Sequence, residues 1–229
     1  MKLEKAVMER FVEIIEGDEP LVNPLLNRYQ VYRDMVYFRF QETIRSIYPI
    51  LSMRLAERLH GLIREFQREG ARSPIMMEMA YEFGVFLRKH PLGSELAYLD
   101  ELLWFEWSEA ELLNSDFDDE KTVFGWEREL FLSDSARMRM MAFALYRGDF
   151  ESRGAYPLLL YYDHAEQEVC FQEITPLGYL LLELLGENTP RQSLSKIAKE
   201  YKVDQNDLEE PLEILMRQWC NKKILQKRK

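Results

Sequence analysis

His60, His90 and His164, with Cys170 and Cys220, are all the imidazoles and thiols this sequence holds. These side chains most often bind zinc or iron or attack a substrate, and both tasks need neighbours. A closed zinc site takes four ligands at short, regular spacing, and none of the histidines has a Cys or His neighbour at that spacing. Two cysteines alone make neither a disulfide framework nor a zinc site. A cysteine nucleophile needs a base or a helix start to lower its pKa. Cys170 instead alternates with Phe171 in an expected strand, and Cys220 follows Trp219 at a helix end, so both read as packed thiols. His60 on a helix and His90 beside Pro91 read as surface residues, and His164 falls in a turn. The ten glycines are scattered singly, so no phosphate-cradling loop is present. Carboxylates are so abundant that spacing singles out no acid/base pair. The expectation is a chain with no catalytic residue, no metal ligand and no cofactor of its own.

Two other constellations carry more information. Arg28, Tyr32, Arg33 and Arg39 precede Tyr48-Pro49, with Val31, Met35 and Phe38 forming an apolar stripe between them. In a helix, Arg28, Tyr32 and Arg39 lie roughly along one side. These arginines either pair with acids of a later helix and stitch a bundle, or meet a partner. The second constellation is Leu194, Ile197, Ala198, Tyr201 and Val203, followed by Leu208, Leu212 and Leu215. That spacing buries the inner faces of two short helices joined by a tight turn, a winged-helix-like pattern. Its obvious use is DNA reading, with the second helix in a major groove. The charges oppose this: Asp207, Glu209, Glu210 and Glu213 sit on that helix against Arg217 alone, and phosphates repel carboxylates. A DNA-binding transcriptional regulator stays as the alternative reading.

The elements that must position these residues follow from the rest of the chain. Its 229 residues give room for one large or two modest domains. Hydrophobic residues at 47% and charged residues at 31% exclude a disordered or fibrous chain. No window approaches the roughly 20 apolar residues needed to span a bilayer, and the charged start Met1-Lys2-Leu3-Glu4-Lys5 leads to the expectation of no secretory signal. Cysteine usage points to a reducing cytoplasm. The net charge of −10 discourages non-specific contact with nucleic acid or anionic lipid. It is concentrated: thirteen acids lie within 95–134 against Lys121 and Arg128, while nine arginines lie within 28–72 against five acids.

The first half reads as helix throughout. Leu3, Val7, Phe11, Ile14 and Ile15 recur at helical spacing up to Gly17, and 18–24 is a proline-bearing loop. Further helices are expected over about 27–47, 52–69 ending at Gly70, from the Ser73-Pro74 cap to before Pro91, and 95–113. Residues 114–122 are the best linker. Beyond it, Met141, Phe143 and Leu145 alternate, and the run 157–162 and the alternating 169–174 make a probable hairpin across the turn 163–168. Helices follow from Thr175-Pro176 to Gly186, from about Ser193, and from Asn206, before a closing Ile224-Leu225. The fold class is therefore mainly α with a smaller α+β part: an α-helical bundle domain over 1–115 and an α+β, winged-helix-like domain over 123–229.

One order of residues resembles a known family. Arg28, Tyr32-Arg33, Tyr48-Pro49, Ser73-Pro74, Phe83, Phe86-Leu87, Tyr98-Leu99 and Phe105-Glu106-Trp107 are similar to the HvfC/BufC family, long labelled as DNA-binding. Pro157-Leu158-Leu159-Leu160-Tyr161, then Val169-Cys170-Phe171-Gln172-Glu173-Ile174 and Thr175-Pro176-Leu177-Gly178, fit its second half. The acidic segment 116–120 departs from the family pattern and bears on partner choice. The resemblance implies a non-catalytic accessory subunit, forming a heterodimer with a multinuclear non-heme iron-dependent oxidase that modifies cysteines in a ribosomally made precursor peptide. Iron would then belong to the partner enzyme, and nucleic acid and membrane are not expected partners. It also implies a C-terminal peptide-recognition module. Partner contacts are expected at Arg28, Tyr32, Arg33, Arg39 and Glu106, with Arg33 and Glu106 exposed. Peptide contacts are expected at Leu158, Leu160, Val169 and Phe171, on one or the other strand edge, and at Glu209 and Glu213, whose charge would favour basic residues in the peptide.

Overall fold

The structure is a computed structural model and describes residues 27–69, 71, 73–117 and 120–227. The expected first helix with Leu3, Val7, Phe11, Ile14 and Ile15, its stop at Gly17 and the 18–24 loop lie outside the described residues. So do Gly70, Arg72, Asp118, Asp119, Arg228 and Lys229. The chain is mostly helical with a small antiparallel sheet part. It divides into two compact units, one up to Trp107 and one from Ser108.

The first unit contains α1 (Asn27–Ile47), α2 (Pro49–Leu55), α3 (Arg58–Arg68), α4 (Met76–Lys89), α5 (Leu92–Glu95) and most of α6 (Leu99–Leu113). Pro49 restricts Tyr48, which stands at φ −124°, ψ 62° between α1 and α2, and Pro49 itself opens α2. The helix expected over 52–69 is two helices. Ala56, at φ 47°, ends α2, yet the buried series Leu51, Leu55, Leu59, Leu62, Ile63 and Phe66 keeps helical spacing across the break and hides it. Helix α4 starts after Pro74, at Met76, because the Ser73 hydroxyl accepts from the Ile75 amide (3.1 Å) and donates to Glu78 (2.5 Å), holding a turn ahead of the helix. The segment expected as one helix over 95–113 is interrupted at Leu96, which is extended and closes α5. Phe66, Phe83 and Phe86 form the aromatic centre, with ring centroids 5.4–6.0 Å apart. Gly84 is required there: a Cβ on it would lie 2.9 Å from the Tyr48 hydroxyl, which donates to the Ala80 carbonyl (3.0 Å).

The second unit continues with β1 (Leu130–Leu132), β2 (Ala136–Phe143), a 3-10 turn (Leu145–Arg147), β3 (Arg153–Asp163) and β4 (Glu168–Glu173). Then come α7 (Pro176–Leu185), α8 (Pro190–Tyr201), α9 (Gln205–Asn221) and β5 (Leu225–Lys227). The three-stranded sheet has the antiparallel order β2-β3-β4, and β1 pairs with β5. The helices begin where their caps dictate. Thr175 accepts from the Gly178 amide (3.0 Å), Thr189 and Gln192 form a reciprocal capping box, and Asp204 accepts from the Asn206 amide. The capping box starts α8 at Pro190, three residues ahead of the expected Ser193. One core joins Leu159 and Tyr161 of β3 to Leu181 and Leu185 of α7, Leu194 and Ile197 of α8, and Met216 and Trp219 of α9.

Candidate functional site

In the bundle, two of the expected partner contacts are interior. Glu106 is 2% exposed and Arg33 5%. The expectation that they are exposed is corrected. Helix α2 explains Glu106: its N-cap residue, Tyr48, supplies no side-chain cap, so the first amides of α2 need an acceptor. The Glu106 carboxylate supplies it, accepting from Ile50 N (2.5 Å) and Leu51 N (3.1 Å). A negative group at a helix N-terminus is also favoured by the helix dipole. Tyr32 and Arg39 are exposed, and Arg39 donates to the Pro74 carbonyl. The backbone of Arg28 lies in α1, and its side chain lies outside the described residues. Other arginines do stitch elements together: Arg58 pairs with Glu95 (2.9 Å) and Arg88 with Asp100 (2.7 Å). Around Tyr32, the apolar side chains Val31, Met35, Val36 and Phe38 of α1 are exposed, as are Ile75 and Met76 at the start of α4. Met35, Phe38, Arg39, Glu42 and Met76 line an open groove.

The sheet decides which strand offers a backbone edge. β3 is the central strand, paired on both sides, so its edge is not open. Leu158 and Leu160 are 0% and 1% exposed and belong to the interior, a correction to their place among the peptide contacts. β2 and β4 are the two outer strands, and β4 is the one that belongs to the expected hairpin. Two backbone bonds fix which of its amides face outward. Ile174 N donates to Pro157 O (2.9 Å), and Tyr162 N donates to Ser135 O (2.9 Å) on the β2 side. In an antiparallel ladder hydrogen-bonded and non-hydrogen-bonded pairs alternate. With Leu160 opposite Phe171 and Tyr162 opposite Val169, the backbone groups of Glu168, Cys170 and Gln172 turn toward β3. Those of Val169, Phe171 and Glu173 turn outward. An amide at every position of this strand is therefore not on offer; alternate ones are.

The same pleat separates the side chains. Val169, Phe171 and Glu173 share the face of Leu158 and Leu160, while Cys170 lies on the helix-facing side, half-buried against the core. Phe171 is 50% exposed and its ring lies 5.9 Å from that of Tyr146. Tyr146 and Arg147 both donate to Glu173, and the Arg147 guanidinium stacks over the Tyr146 ring. Burial and the bond to Glu173 push the Tyr146 hydroxyl up to about 12, so it stays a donor. The sequence reading missed Tyr146 and Arg147. Their signal was the turn that Gly148 permits, at φ 77°, directly after them.

Glu209 and Glu213 are brought together elsewhere, with Trp126. Glu213 accepts from Trp126 Nε1 (3.1 Å) and pairs with Arg217 (2.7 Å); Glu209 pairs with Arg191 (3.0 Å), whose guanidinium lies over the Trp126 ring. Those bonds to Arg217 and Trp126 hold the Glu213 carboxyl below the usual carboxylate range. Its charge serves this network, which straps 124–126 across α8 and α9. Asn206, Glu209, Glu210, Glu213, Ile214 and Arg217 line the open surface of α9.

The remaining chemistry-bearing groups are engaged by neighbours within the chain, and His60 is exposed as expected. His60 Nδ1 bonds the Tyr37 hydroxyl (2.7 Å), His90 contacts Glu65 (3.2 Å), and His164 stacks edge-on to Tyr162. Burial pushes the Cys220 thiol up to about 11. Among the described residues no group of three or more His, Cys, Asp or Glu side chains is placed to hold a metal ion. None of the described helices is long and apolar enough to cross a membrane.

A small antiparallel sheet of three strands, and three helices packed on one of its faces, define the class of module that the second unit contains. Residues 142–220 match the family model of the HvfC C-terminal domain, a stretch running from the end of β2 through most of α9. The match supports membership of the HvfC/BufC family, which the sequence resembles. No curated protein matches the chain.

Proposed function

We propose that this chain is a non-catalytic accessory subunit that binds a multinuclear non-heme iron-dependent oxidase and brings it a cysteine-containing precursor peptide. The second unit is then a winged-helix-like peptide-recognition module, and β4 is the observation that carries the reading. An outer strand with Val169, Phe171 and Glu173 directed outward offers an extended peptide backbone donors and acceptors whatever its sequence. At the turn end of that strand stand Asp163, Glu166 and Glu168, so a peptide carrying basic residues at that end is favoured. This role replaces the one expected of Glu209 and Glu213. The oxidase docks on α1, where Tyr32 and Arg39 stand among exposed apolar side chains. The chain contributes no cofactor, works in the cytoplasm, and leaves DNA unread because the open surface of α9 is acidic.

Co-expression with an oxidase and a short cysteine-containing peptide from neighbouring reading frames tests the proposal. The expected result is one complex of chain, oxidase and peptide, with iron following the oxidase. Tight iron in the isolated chain, or a chain that elutes apart from both, would overturn it.

A further inference from the structure

Resting on the reading of β4 as a peptide edge, we infer that Phe171 and Tyr146 form a side-chain reader that selects an aromatic or large aliphatic residue at one position of the added strand. The backbone of Phe171 faces outward, so in an antiparallel added strand the peptide residue directly across from it forms a hydrogen-bonded pair, with Cα atoms about 5.5 Å apart and its side chain on the same face. That face already holds half of an aromatic contact. The Phe171 ring is half exposed and meets the ring of Tyr146. Tyr146 cannot swing away without losing its bond to Glu173 and its stacking with Arg147. The pair is therefore ordered before a ligand arrives, which lowers the entropy lost on binding.

The composition of β4 supports the same conclusion. Outer strands are normally protected from unwanted pairing by charge, and Glu168 and Glu173 mark the two ends of this one. A large apolar side chain left half exposed at its middle is a liability unless it is used. The helix-facing side of the strand, with Glu168, Cys170 and Gln172, offers nothing comparable. The flanking peptide positions, whose side chains point to that side, are not read by a ring.

The test uses the full chain and, as probe, a blocked ten-residue peptide of alternating threonine and valine. One central position is varied through phenylalanine, leucine, alanine and aspartate. Amide chemical shifts of the ¹⁵N-labelled protein report both site and affinity. The expected result is shifts at Val169, Phe171 and Glu173, with the phenylalanine peptide binding about three- to tenfold more tightly than the alanine one. That preference should fall below about twofold in Phe171→Thr, which keeps a strand-forming residue. Tyr146→Leu reads the other wall should Phe171→Thr fail to fold. Equal affinity across the series, with the β4 shifts present, overturns the reader and leaves the edge standing. No shift on β4 with any of the peptides overturns the edge reading and the reader with it.

Discussion

Glu106 shows how much one carboxylate can hold. It accepts from the first two open amides of α2, and it lies more than fifty positions away in sequence. Glu106→Ala leaves two amides at a protein interior without acceptors, at a cost of about 1–3 kcal/mol each before relaxation. We expect a loss of about 2–4 kcal/mol in urea unfolding, and a smaller loss for Glu106→Gln, whose single carbonyl oxygen can serve only part of the pair. Unchanged stability would show that the carboxylate is not the cap. The thiols give a second expectation at this scale. With its pKa pushed up to about 11, Cys220 stays protonated at pH 8 and should react with a thiol reagent only after unfolding. Half-buried Cys170 should label first, and two equally fast thiols would contradict the packing. Charge alone misled the sequence reading of Glu106 and Arg33: a charged residue on a helix reads as exposed, and for Glu106 it is a tertiary partner 56 positions away that makes it interior.

At the scale of elements, the ladder parity of β4 makes opposite demands on neighbouring residues. Proline at Val169 or Phe171 removes an outward amide and should leave the fold intact while weakening peptide binding. Proline at Cys170 or Gln172 removes a bond to β3 and should lower the melting temperature by several degrees. Equal melts for all four variants would refute the assigned parity. The strap at 124–126 allows a pH test. Because Arg217 and Trp126 hold the Glu213 carboxyl low, its contribution is present above the ordinary carboxylate pKa and is lost as pH falls through the lower folded value. The Trp126 component of the fluorescence, isolated by difference from Trp126→Phe, should therefore change only below about pH 4.5. The change should vanish in Glu213→Gln. Much of this level was legible. The α7 cap at Thr175, the α1 boundary before Pro49 and the β3–β4 hairpin follow from local chemistry. What the sequence hid was sheet order. The run 157–162 lacks alternation, as strands buried on both faces do, and that property marks a central strand. The short β1–β5 pairing depends on residues almost a hundred positions apart, which no local pattern records.

For the whole molecule, the charge distribution separates the two functional readings. A groove-reading protein must bring cations to phosphates, and affinity then falls steeply with salt. Here the open surface of α9 carries Glu209, Glu210 and Glu213 with Arg217. Incubated with mixed-sequence duplex at about 150 mM salt, near physiological ionic strength, the chain should cause no gel shift. A salt-sensitive shift would revive the regulator reading. The division after Trp107 falls inside α6, so no break in helical pattern announces it. The sequence signals for a linker, polar and acidic residues over 114–122, begin only after the helix has ended.

The alternation of β4 carries a consequence for how such a protein and its ligand change over time. Its outward groups run from Val169 to Glu173, a span of only about 14 Å. Recognition that is mostly main chain to main chain constrains one or two side chains of the guest and ignores the others. The guest's sequence can then drift at every second position, and its distant, chemically modified end can be rebuilt, without the host surface having to follow. The protein would act as a fixed handle for a family of diverging cargoes.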